Sequence, residues 1–289
     1  MEAKLKNNKI LIVGLGLIGG TYAKILSDNG FNVSAIDINK DSIDFAVENK
    51  YISKGYTDVK KEYFQDIDSI IFCLYPHNFL KWIKQYKSFI KQGTLITDVT
   101  GVKSVIVDEI QKELDGIAEF VPSHPMAGRE KCGVQNVDTN VFKNANFIIV
   151  KTDKNTDENI SNINELAQIL GFSKVSILDP KKHDEMIAYL SQLTHVIAIS
   201  LMTGIYDDGL AYYTGDSFRD LTRIARINEN MWTELFLANK DALLMQMNRF
   251  EIEFNKMKEY LMKDDVEKIK EMMIESTKRR ELFDKKNIN

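Results

Sequence analysis

A glycine-rich turn close to the N-terminus restricts the folds open to this sequence more than any other segment. Residues 10–13, Ile-Leu-Ile-Val, form a short unbroken apolar run, as expected of a strand buried on both faces of a parallel sheet. Gly14, Gly16 and Gly19 follow at once in G-x-G-x-x-G spacing, and a helical pattern then runs to Asn29. Glycines with this spacing allow a tight strand-to-helix turn and a close approach of backbone to a pyrophosphate. The turn therefore predicts a phosphate-binding site.

A second strand makes a dinucleotide the best candidate ligand. Residues 32–36 are strand-like and lead into Asp37, about 20 residues after the turn, where a carboxylate can hydrogen-bond the ribose 2′-hydroxyl of NAD. Lys40 is the only basic residue beside Asp37, so the 2′-phosphate of NADP would meet an uncompensated negative charge. We therefore predict NAD as the cofactor.

The composition fits a soluble globular protein of about two domains. The chain has 289 residues, 44% hydrophobic and 28% charged, with a net charge of -4 that gives no reason to expect nucleic acid. The two cysteines, Cys73 and Cys132, offer neither a disulfide framework nor zinc spacing, so we expect a reducing compartment and no metal. We see neither a signal peptide nor an apolar run near the roughly 18 residues of a membrane span. These features predict a cytoplasmic protein without a membrane partner.

Strand and helix patterns alternate through the first half, which predicts an α/β Rossmann-type domain with a mainly parallel sheet. Later strands are expected near Gly55 and at 69–74, 94–97, 118–121, 146–150 and 175–178, the last three at the edge of the same sheet. Open α/β sheets bind ligands at the carboxyl ends of their strands. The predicted cofactor contacts are therefore Leu74, Pro76 and Asp98 at strand ends, with Leu15, Leu17 and Ile18 of the glycine turn.

The second half is helical by pattern. Asp179-Pro180 is a strong helix start, with Asp as N-cap and Pro at the first helical position, and the helix should run to about Met202. We place the boundary at the change of pattern, giving an NAD-binding domain at 1–177 and an all-α substrate and dimerisation domain at 178–289. A long apolar stripe consists of Leu243, Met247, Phe250, Phe254, Met257 and Leu261. It could be a bundle core, but we favour a homodimer seam because so small a helical domain would struggle to bury it alone.

His124 is the best candidate among the four histidines for catalysis. It lies in Val-Pro-Ser-His-Pro-Met-Ala-Gly, residues 121–128, directly after a predicted strand. Pro122 and Pro125 restrict the backbone around it, and Gly128 permits an unusual turn. Such a loop looks pre-organised to hold one imidazole.

The other three histidines have simpler readings. His77 is expected at a helix end on the surface. His183 lies beside Asp184 in the first turn of a helix, where a local structural role is expected. His195, taken alone, would more often be a satisfied core histidine.

Two arginines are candidates for binding an anionic substrate. Arg219 and Arg223 are four residues apart on one helical face, with Asp220 between them. Guanidinium groups bind carboxylates in a bidentate manner. The alternative is a solvated basic face that pairs with Asp220.

These motifs together resemble those of the prephenate and arogenate dehydrogenases of tyrosine biosynthesis. The likeness rests on the glycine loop at 12–20, Ser-His-Pro-Met-Ala-Gly at 123–128 and Phe-Arg-Asp-Leu-Thr-Arg-Ile-Ala at 218–225, and it extends over nearly the whole chain. It implies a Rossmann domain, a helical dimerisation domain and oxidative decarboxylation of prephenate to 4-hydroxyphenylpyruvate, or of arogenate to tyrosine. We favour prephenate.

The resemblance also implies roles for single residues. His124 would hydrogen-bond the ring hydroxyl, and Arg223 would bind a substrate carboxylate with Trp232 beside the same pocket. His195 matches a histidine at the side-chain end of the substrate, and Glu130 matches an acid just after the His-Pro loop. Any inhibition by tyrosine would act in this active site, by product mimicry, with His195 as a contact.

The chain departs from the family pattern around the substrate. Gly101 stands where the family often has serine in Asp-x-x-Ser-x-Lys, which leaves Thr100 as the candidate hydroxyl. Gln192 replaces the first histidine of the family's His-Leu-Pro-His. Both changes bear on the choice between prephenate and arogenate more than on the reaction type.

Two alternatives remain open on the sequence. A β-hydroxyacid dehydrogenase or imine reductase shares the Rossmann-plus-helical plan, although the His-Pro-x-Ala-Gly and Phe-Arg-Asp segments argue against both. A non-catalytic NAD(H) sensor would not need His124 and the arginines in one pocket. We therefore predict an NAD-dependent oxidoreductase of the resembled family.

Overall fold

A computed structural model describes residues 9–128 and 133–283 of the chain. The chain divides into two compact units, of which the first ends at Asn239 and the second begins at Lys240. The change from strands to helices falls between Leu178 and Pro180. The domain boundary after residue 177 stays a prediction.

Six parallel strands form the main sheet of the first unit, in the order β3-β2-β1-β4-β5-β6. They are Lys9–Val13 (β1), Asn32–Ile36 (β2), Lys54–Tyr56 (β3), Ser69–Phe72 (β4), Thr94–Asp98 (β5) and Ala118–Phe120 (β6). The central strands are apolar on both faces, with Leu11 and Ile12 fully buried in β1. The strand order reverses at β1 and β4, so a crevice opens at their carboxyl ends, where such sheets bind ligands.

Helices cover both faces of this sheet and bury two apolar cores. They are Leu17–Asp28, Lys40–Glu48, Pro76–Tyr86 and Val107–Glu113. A further helix, Asp157–Ile169, packs beside the second sheet, which is described below. The Pro76–Tyr86 helix begins at Pro76, which fits the first helical position, where its missing N–H costs nothing. An α/β nucleotide-binding unit of this kind confirms the predicted Rossmann-type fold class.

The strands predicted at 146–150 and 175–178 do not extend the main sheet, so that part of the prediction is wrong. Ser123–Pro125 (β7), Asn146–Val150 (β8) and Lys174–Leu178 (β9) form a separate sheet, with β7 antiparallel and β9 parallel to β8. Only β6 lies at the predicted edge. The side chains of Asp98 and Lys103 hydrogen-bond the backbone of Ser123, so the chain leaves the edge after β6 and pairs with β8.

A long helix, Pro180–Thr203, follows the strands, with a π-helical turn at Ala188–Gln192. Asp179 caps it as predicted, because its side chain accepts a hydrogen bond from the Lys182 N–H at 2.9 Å. Among the described residues it is the one helix with the length and mean hydropathy, 1.4, to cross a membrane. A core helix can meet the same two criteria, so this is weak evidence for a span.

Shorter helices complete the first unit, and two longer helices form the second. The first unit continues with Leu210–Tyr213, Asp216–Thr222 and Glu229–Ala238, and the second contains Lys240–Met262 and Val266–Arg280. The two helices of the second unit contact each other. Along the predicted stripe, Phe254 and Leu261 are 62% and 59% exposed, whereas Leu243 is buried, so the single chain leaves the later part of this apolar face uncovered.

Candidate active site

The glycine turn presents an open helix N-terminus to solvent. Gly16 is the N-cap of the Leu17–Asp28 helix, and the first turn has neither a side-chain cap nor an acidic residue. A Cβ added at Gly16 would have no atom within 4 Å, so this position borders open space. Unpaired N–H groups and the helix dipole favour an anion here. The turn thus fits the pyrophosphate of a dinucleotide.

The other two glycines of the turn are required by the fold itself. Gly14 has a φ of +100°, and a Cβ there would lie 2.6 Å from the carbonyl oxygen of Cys73. A Cβ at Gly19 would lie 2.0 Å from the carbonyl oxygen of Gly14. Only glycine permits this contact between the turn and the neighbouring strand end.

Asp37 lies at the end of β2 and braces the glycine turn. Its carboxylate accepts hydrogen bonds from the backbone N–H groups of Leu15 and Asn39. The ammonium of Lys40, the nearest basic residue in sequence, is bound to Asp44. This arrangement places a negative charge beside the turn, and the nearby lysine is already engaged by another carboxylate.

The remaining predicted cofactor contacts differ in their exposure. Leu15 and Leu17 are buried, Ile18 and Leu74 are half-buried, Pro76 is buried in the first turn of its helix, and Asp98 is fully buried. The Leu15 side chain is buried in the core, so this residue contributes to the turn mainly through its backbone.

A buried ion pair fixes the backbone directly before His124. The Lys103 Nζ lies 2.6 Å from the Asp98 Oδ2, and both side chains are fully buried. Lys103 also donates to the carbonyl oxygen of Ser123 at 2.6 Å, while Asp98 Oδ1 accepts from the Ser123 N–H at 3.0 Å. The Ser123 hydroxyl donates to the carbonyl oxygen of Asp98. Both backbone groups of Ser123 are thus held, which limits the movement of the next residue.

Thr100 belongs to the same buried cluster. Its hydroxyl donates to the Asp98 carboxylate and accepts from Lys103 Nζ at 3.0 Å. Gly101, beside it, would direct a Cβ to within 3.4 Å of the Leu235 side chain and 4.0 Å of the His124 ring. The departure from the family pattern at Gly101 therefore lies next to His124. The substrate contact expected of Thr100 stays a prediction.

His124 belongs to a hydrogen-bonded chain of three side chains. Its Nδ1 lies 2.9 Å from Nε2 of His183, and the His183 Nδ1 lies 2.7 Å from Asp184 Oδ1. Asp184 also accepts the backbone N–H groups of Lys103 and Ser104, at 2.9 and 2.7 Å. His183 contacts its sequence neighbour Asp184, which fits the local role expected of it, but its contact with His124 was not expected. An adjacent His-Asp pair at a helix start was the only signal for it.

The electrostatic environment favours neutral imidazoles. Burial, followed by His183 and Lys103, holds the pKa of His124 well below its ordinary value of 6.5. Burial likewise lowers the pKa of His183, although Asp184 opposes this effect. Burial alone would raise the pKa of Asp184, but hydrogen bonds from His183 and Ser104 lower it overall. The hydrogen-bonded series therefore consists of the Asp184 carboxylate and two neutral imidazoles, those of His183 and His124.

Gln192 is buried, and its amide bridges two helices. Its Nε2 donates to the carbonyl oxygen of Leu235 at 2.8 Å, and its Oε1 accepts from the Asn239 side chain at 2.8 Å. Asn239 also donates to the carbonyl oxygen of Asp184 at 2.9 Å. The amide therefore braces the helix that carries His183. Its predicted contact with the substrate stays a prediction.

His195 and Trp232 lie against each other, with ring centroids 3.7 Å apart and planes at 31°. The His195 Nδ1 lies 2.8 Å from the carbonyl oxygen of Ser191, one turn earlier in the helix. Because a carbonyl oxygen can only accept, Nδ1 donates this hydrogen bond. These two rings stand side by side, and the substrate contacts expected of both stay predictions.

Both predicted arginines are exposed. Arg223 begins a 3₁₀ turn, Arg223–Ala225, that contacts the helix carrying His195. Arg219 donates to Asp216 at 3.0 Å and to the carbonyl oxygen of Thr214 at 2.8 Å, so it is engaged within its own segment. Glu130 lies outside the described residues.

Comparisons with known proteins identify the family. The model "Prephenate dehydrogenase, nucleotide-binding domain" matches residues 22–176, and "Prephenate dehydrogenase, dimerization domain" matches residues 179–275. Proteins named prephenate dehydrogenase from Lactococcus lactis and Bacillus subtilis are 30% and 29% identical to this chain, over 96% and 90% of it and 77% and 72% of their own lengths. Each of the two alignments extends over both halves of the chain.

A solved structure supports the same relationship. The crystal structure of prephenate dehydrogenase from A. aeolicus, in complex with hydroxyphenyl propionate and NAD+, superposes with a TM-score of 0.89 and 28% identity. The match covers 97% of this chain and 100% of that one. Fold and sequence therefore agree over nearly the entire length.

Proposed function

This chain belongs to the prephenate dehydrogenase family, and from that premise we propose which of its residues carry out the reaction. The enzyme is an oxidoreductase that converts prephenate by oxidative decarboxylation to 4-hydroxyphenylpyruvate, in tyrosine biosynthesis. His124 is the base. The observation that carries this role is a partly exposed imidazole whose Nδ1 is bound by His183 inside the protein and whose pKa is lowered.

The role of His124 follows from its protonation state. A neutral ring can accept the proton of the substrate's ring hydroxyl as the C4 hydrogen leaves and carbon dioxide is lost. The ring becomes aromatic in this step, which makes it effectively irreversible. The protein therefore needs one oriented proton acceptor and a fixed substrate. The buried Asp98 and Lys103 help to orient His124, because they hold the backbone of the preceding Ser123.

NAD is the proposed cofactor. Its pyrophosphate would lie on the turn from Gly14 to Gly19 and its adenosine ribose on Asp37. Bound NAD+ supplies the acceptor for the hydride. The negative charge of Asp37 would repel the 2′-phosphate of NADP. Lys40, the nearest basic residue in sequence, is already paired with Asp44. Both features support NAD over NADP.

The substrate would extend from His124 towards His195 and Trp232. Arg223 is the proposed partner of a carboxylate, since its turn contacts the His195 helix. Arg219 is the less favourable candidate because Asp216 and the Thr214 carbonyl already occupy it. Prephenate is preferred to arogenate on the names of the relatives, and tyrosine would act as an inhibitor through His195 by product mimicry.

Assembly and location complete the proposal. The C-terminal half matches a dimerization domain, and its exposed apolar stripe supports a homodimer formed through the long helices. The cytoplasm is the proposed compartment, since the cysteine usage fits a reducing environment.

Initial rates test the substrate and the cofactor together. Purified protein is supplied with prephenate or arogenate, each with NAD+ or NADP+, and formation of the reduced cofactor is followed. We expect turnover with prephenate and a clear preference for NAD+. Turnover with arogenate alone would reassign the substrate, and equal rates with both cofactors would contradict the role of Asp37.

Substitution of His124 tests the base. Asparagine keeps a polar side chain but cannot accept the proton, so His124→Asn should lower kcat by about 10² to 10⁴ with a smaller effect on KM. Thermal unfolding of the variant would establish that it is folded. Near-normal turnover in a folded His124→Asn protein would remove His124 from the mechanism.

A further inference from the structure

We propose that His183 is a positioning residue that holds His124 in the tautomer required of a base, with Asp184 as its anchor. The inference rests on the proposed role of His124. It goes further by assigning a function to two buried residues that the proposed function does not use and by fixing which nitrogen of His124 reacts.

The anchor is fixed at both carboxylate oxygens. Asp184 Oδ1 accepts the Lys103 N–H and Oδ2 accepts the Ser104 N–H, so the group is oriented by backbone and not by flexible side chains. An ionised carboxylate can only accept hydrogen bonds. The Nδ1 of His183, 2.7 Å from Oδ1, must therefore carry a proton and donate it.

The tautomer of each ring follows in turn. A neutral His183 with its proton on Nδ1 has a lone pair on Nε2, which makes Nε2 an acceptor. The Nδ1 of His124 lies 2.9 Å from that nitrogen and must donate to it. The proton of neutral His124 is thus held on Nδ1, and its Nε2 has the free lone pair that a base needs.

The opposite tautomer would be inactive. If His183 presented an N–H to His124, the proton of His124 would be on Nε2, and that nitrogen could not accept the substrate's proton. With Nδ1 already donating to Asp184, an N–H on Nε2 would make His183 doubly protonated. Burial and the positive charge of Lys103, which is paired with Asp98, both disfavour that state and outweigh the opposing effect of Asp184.

The alternative is that His183 only stabilises the start of its helix through Asp184. Two substitutions separate the readings because the amide nitrogen of asparagine approximates the position of histidine Nδ1, and the amide of glutamine approximates Nε2. His183→Asn can keep the bond to Asp184 and loses the bond to His124. His183→Gln can offer its carbonyl oxygen to the His124 Nδ1–H and loses the bond to Asp184.

Positioning predicts a definite order of activities. We expect His183→Asn to lower kcat by roughly 10² while KM for prephenate changes by less than about threefold, because only orientation and tautomer of the base are lost. His183→Gln should retain at least about ten times the kcat of His183→Asn. A role confined to the helix start predicts the reverse order, since His183→Asn keeps the bond to Asp184, and that order would overturn the proposal.

Nitrogen NMR of the wild-type imidazoles gives a readout that does not depend on turnover or on the folding of the His183 variants. With ¹⁵N-labelled histidine, and with the His124 signals assigned by their loss in His124→Asn, we expect a protonated Nδ1 and an unprotonated Nε2. A protonated Nε2 on His124 would overturn the inference. Loss of turnover in His124→Asn together with the reversed order of the His183 variants would reject this inference and leave the proposed function standing.

Discussion

At the scale of single residues, His124 is fixed by two separate sets of contacts. Asp98 and Lys103 hold the backbone of the preceding Ser123, and His183 holds the ring. The buried ion pair is costly to desolvate, and both of its charged groups are also hydrogen-bonded to the backbone of Ser123. These contacts suit a pair that sets geometry more than stability. The base is thus oriented before a substrate arrives, as effective proton transfer requires.

The same surroundings predict how activity depends on pH. The pKa of His124 is lowered from 6.5 by burial, His183 and Lys103, so the ring stays unprotonated at pH values where a free histidine would be charged. Since only the neutral ring accepts a proton, kcat/KM should stay level as the pH falls through 6.5 and should decline only below it. Initial rates over a series of pH values would measure this acid limb.

Unfolding must be excluded as the cause of that decline. Circular dichroism at each pH would establish that the protein remains folded in the range where activity is lost. An acid limb centred at or above the ordinary histidine value of 6.5 would contradict the lowered pKa of His124.

At the scale of elements, the strand-turn-helix unit separates glycines that the fold needs from the glycine that a ligand needs. A Cβ added at Gly14 or Gly19 would overlap backbone atoms. Gly16 instead borders open space and has a φ of -73°, which alanine can adopt. A side chain at Gly16 would therefore leave the fold intact and obstruct only a bound pyrophosphate.

Alanine substitutions at two of these positions test the distinction. Gly16→Ala should weaken NAD+ binding by roughly tenfold or more, because its methyl group blocks close approach of the pyrophosphate, while the free energy of unfolding changes by less than about 0.5 kcal/mol. Gly19→Ala should instead lower the free energy of unfolding by about 1–3 kcal/mol through the overlap with Gly14. Calorimetric titration and urea unfolding would measure the two effects. Unchanged NAD+ affinity in Gly16→Ala would contradict the phosphate site.

Elements with local signals could be predicted from the sequence. Asp179 and Pro180 define a helix start through their own side chains, and the apolar run at 10–13 defines a buried strand, so neither depends on distant residues. The partner of a strand has no such signal. Residues 146–150 read correctly as a strand, but their pairing with β7 depends on how distant side chains hold Ser123.

The site shows the same limit. The segment around His124 is marked by its prolines, and the glycine turn by its spacing, so both could be recognised in the sequence. The expected loop was wrong in its conformation, because residues 123–125 form strand β7, paired with β8. The contact between His124 and His183 joins residues that are 59 positions apart, and only folding brings them together. Lys103 was visible as part of a family motif, yet its burial against Asp98 depends on packing that no local pattern reports.

At the scale of the whole molecule, the exposed apolar face of the second unit predicts how the chain assembles. Phe254 is 62% exposed and belongs to the stripe along Lys240–Met262, a helix in the region that matches the dimerization domain. An uncovered face of this kind is unfavourable in a monomer and typical of an obligate interface. We expect the stripe to be buried against a second copy of the chain.

A charge placed on the stripe should therefore prevent assembly. Phe254→Glu would bury a carboxylate without a partner in the dimer, and we expect it to weaken dimerisation by roughly 100-fold or more, measured by analytical ultracentrifugation. Lys256→Glu is the matched control, because two residues further on lie about 200° around the same helix, on the opposite face. It removes only an exposed pair with Glu253, which contributes little, so this variant should remain dimeric. A dimeric Phe254→Glu protein, or a monomeric Lys256→Glu protein, would mean that the subunits meet through a different surface.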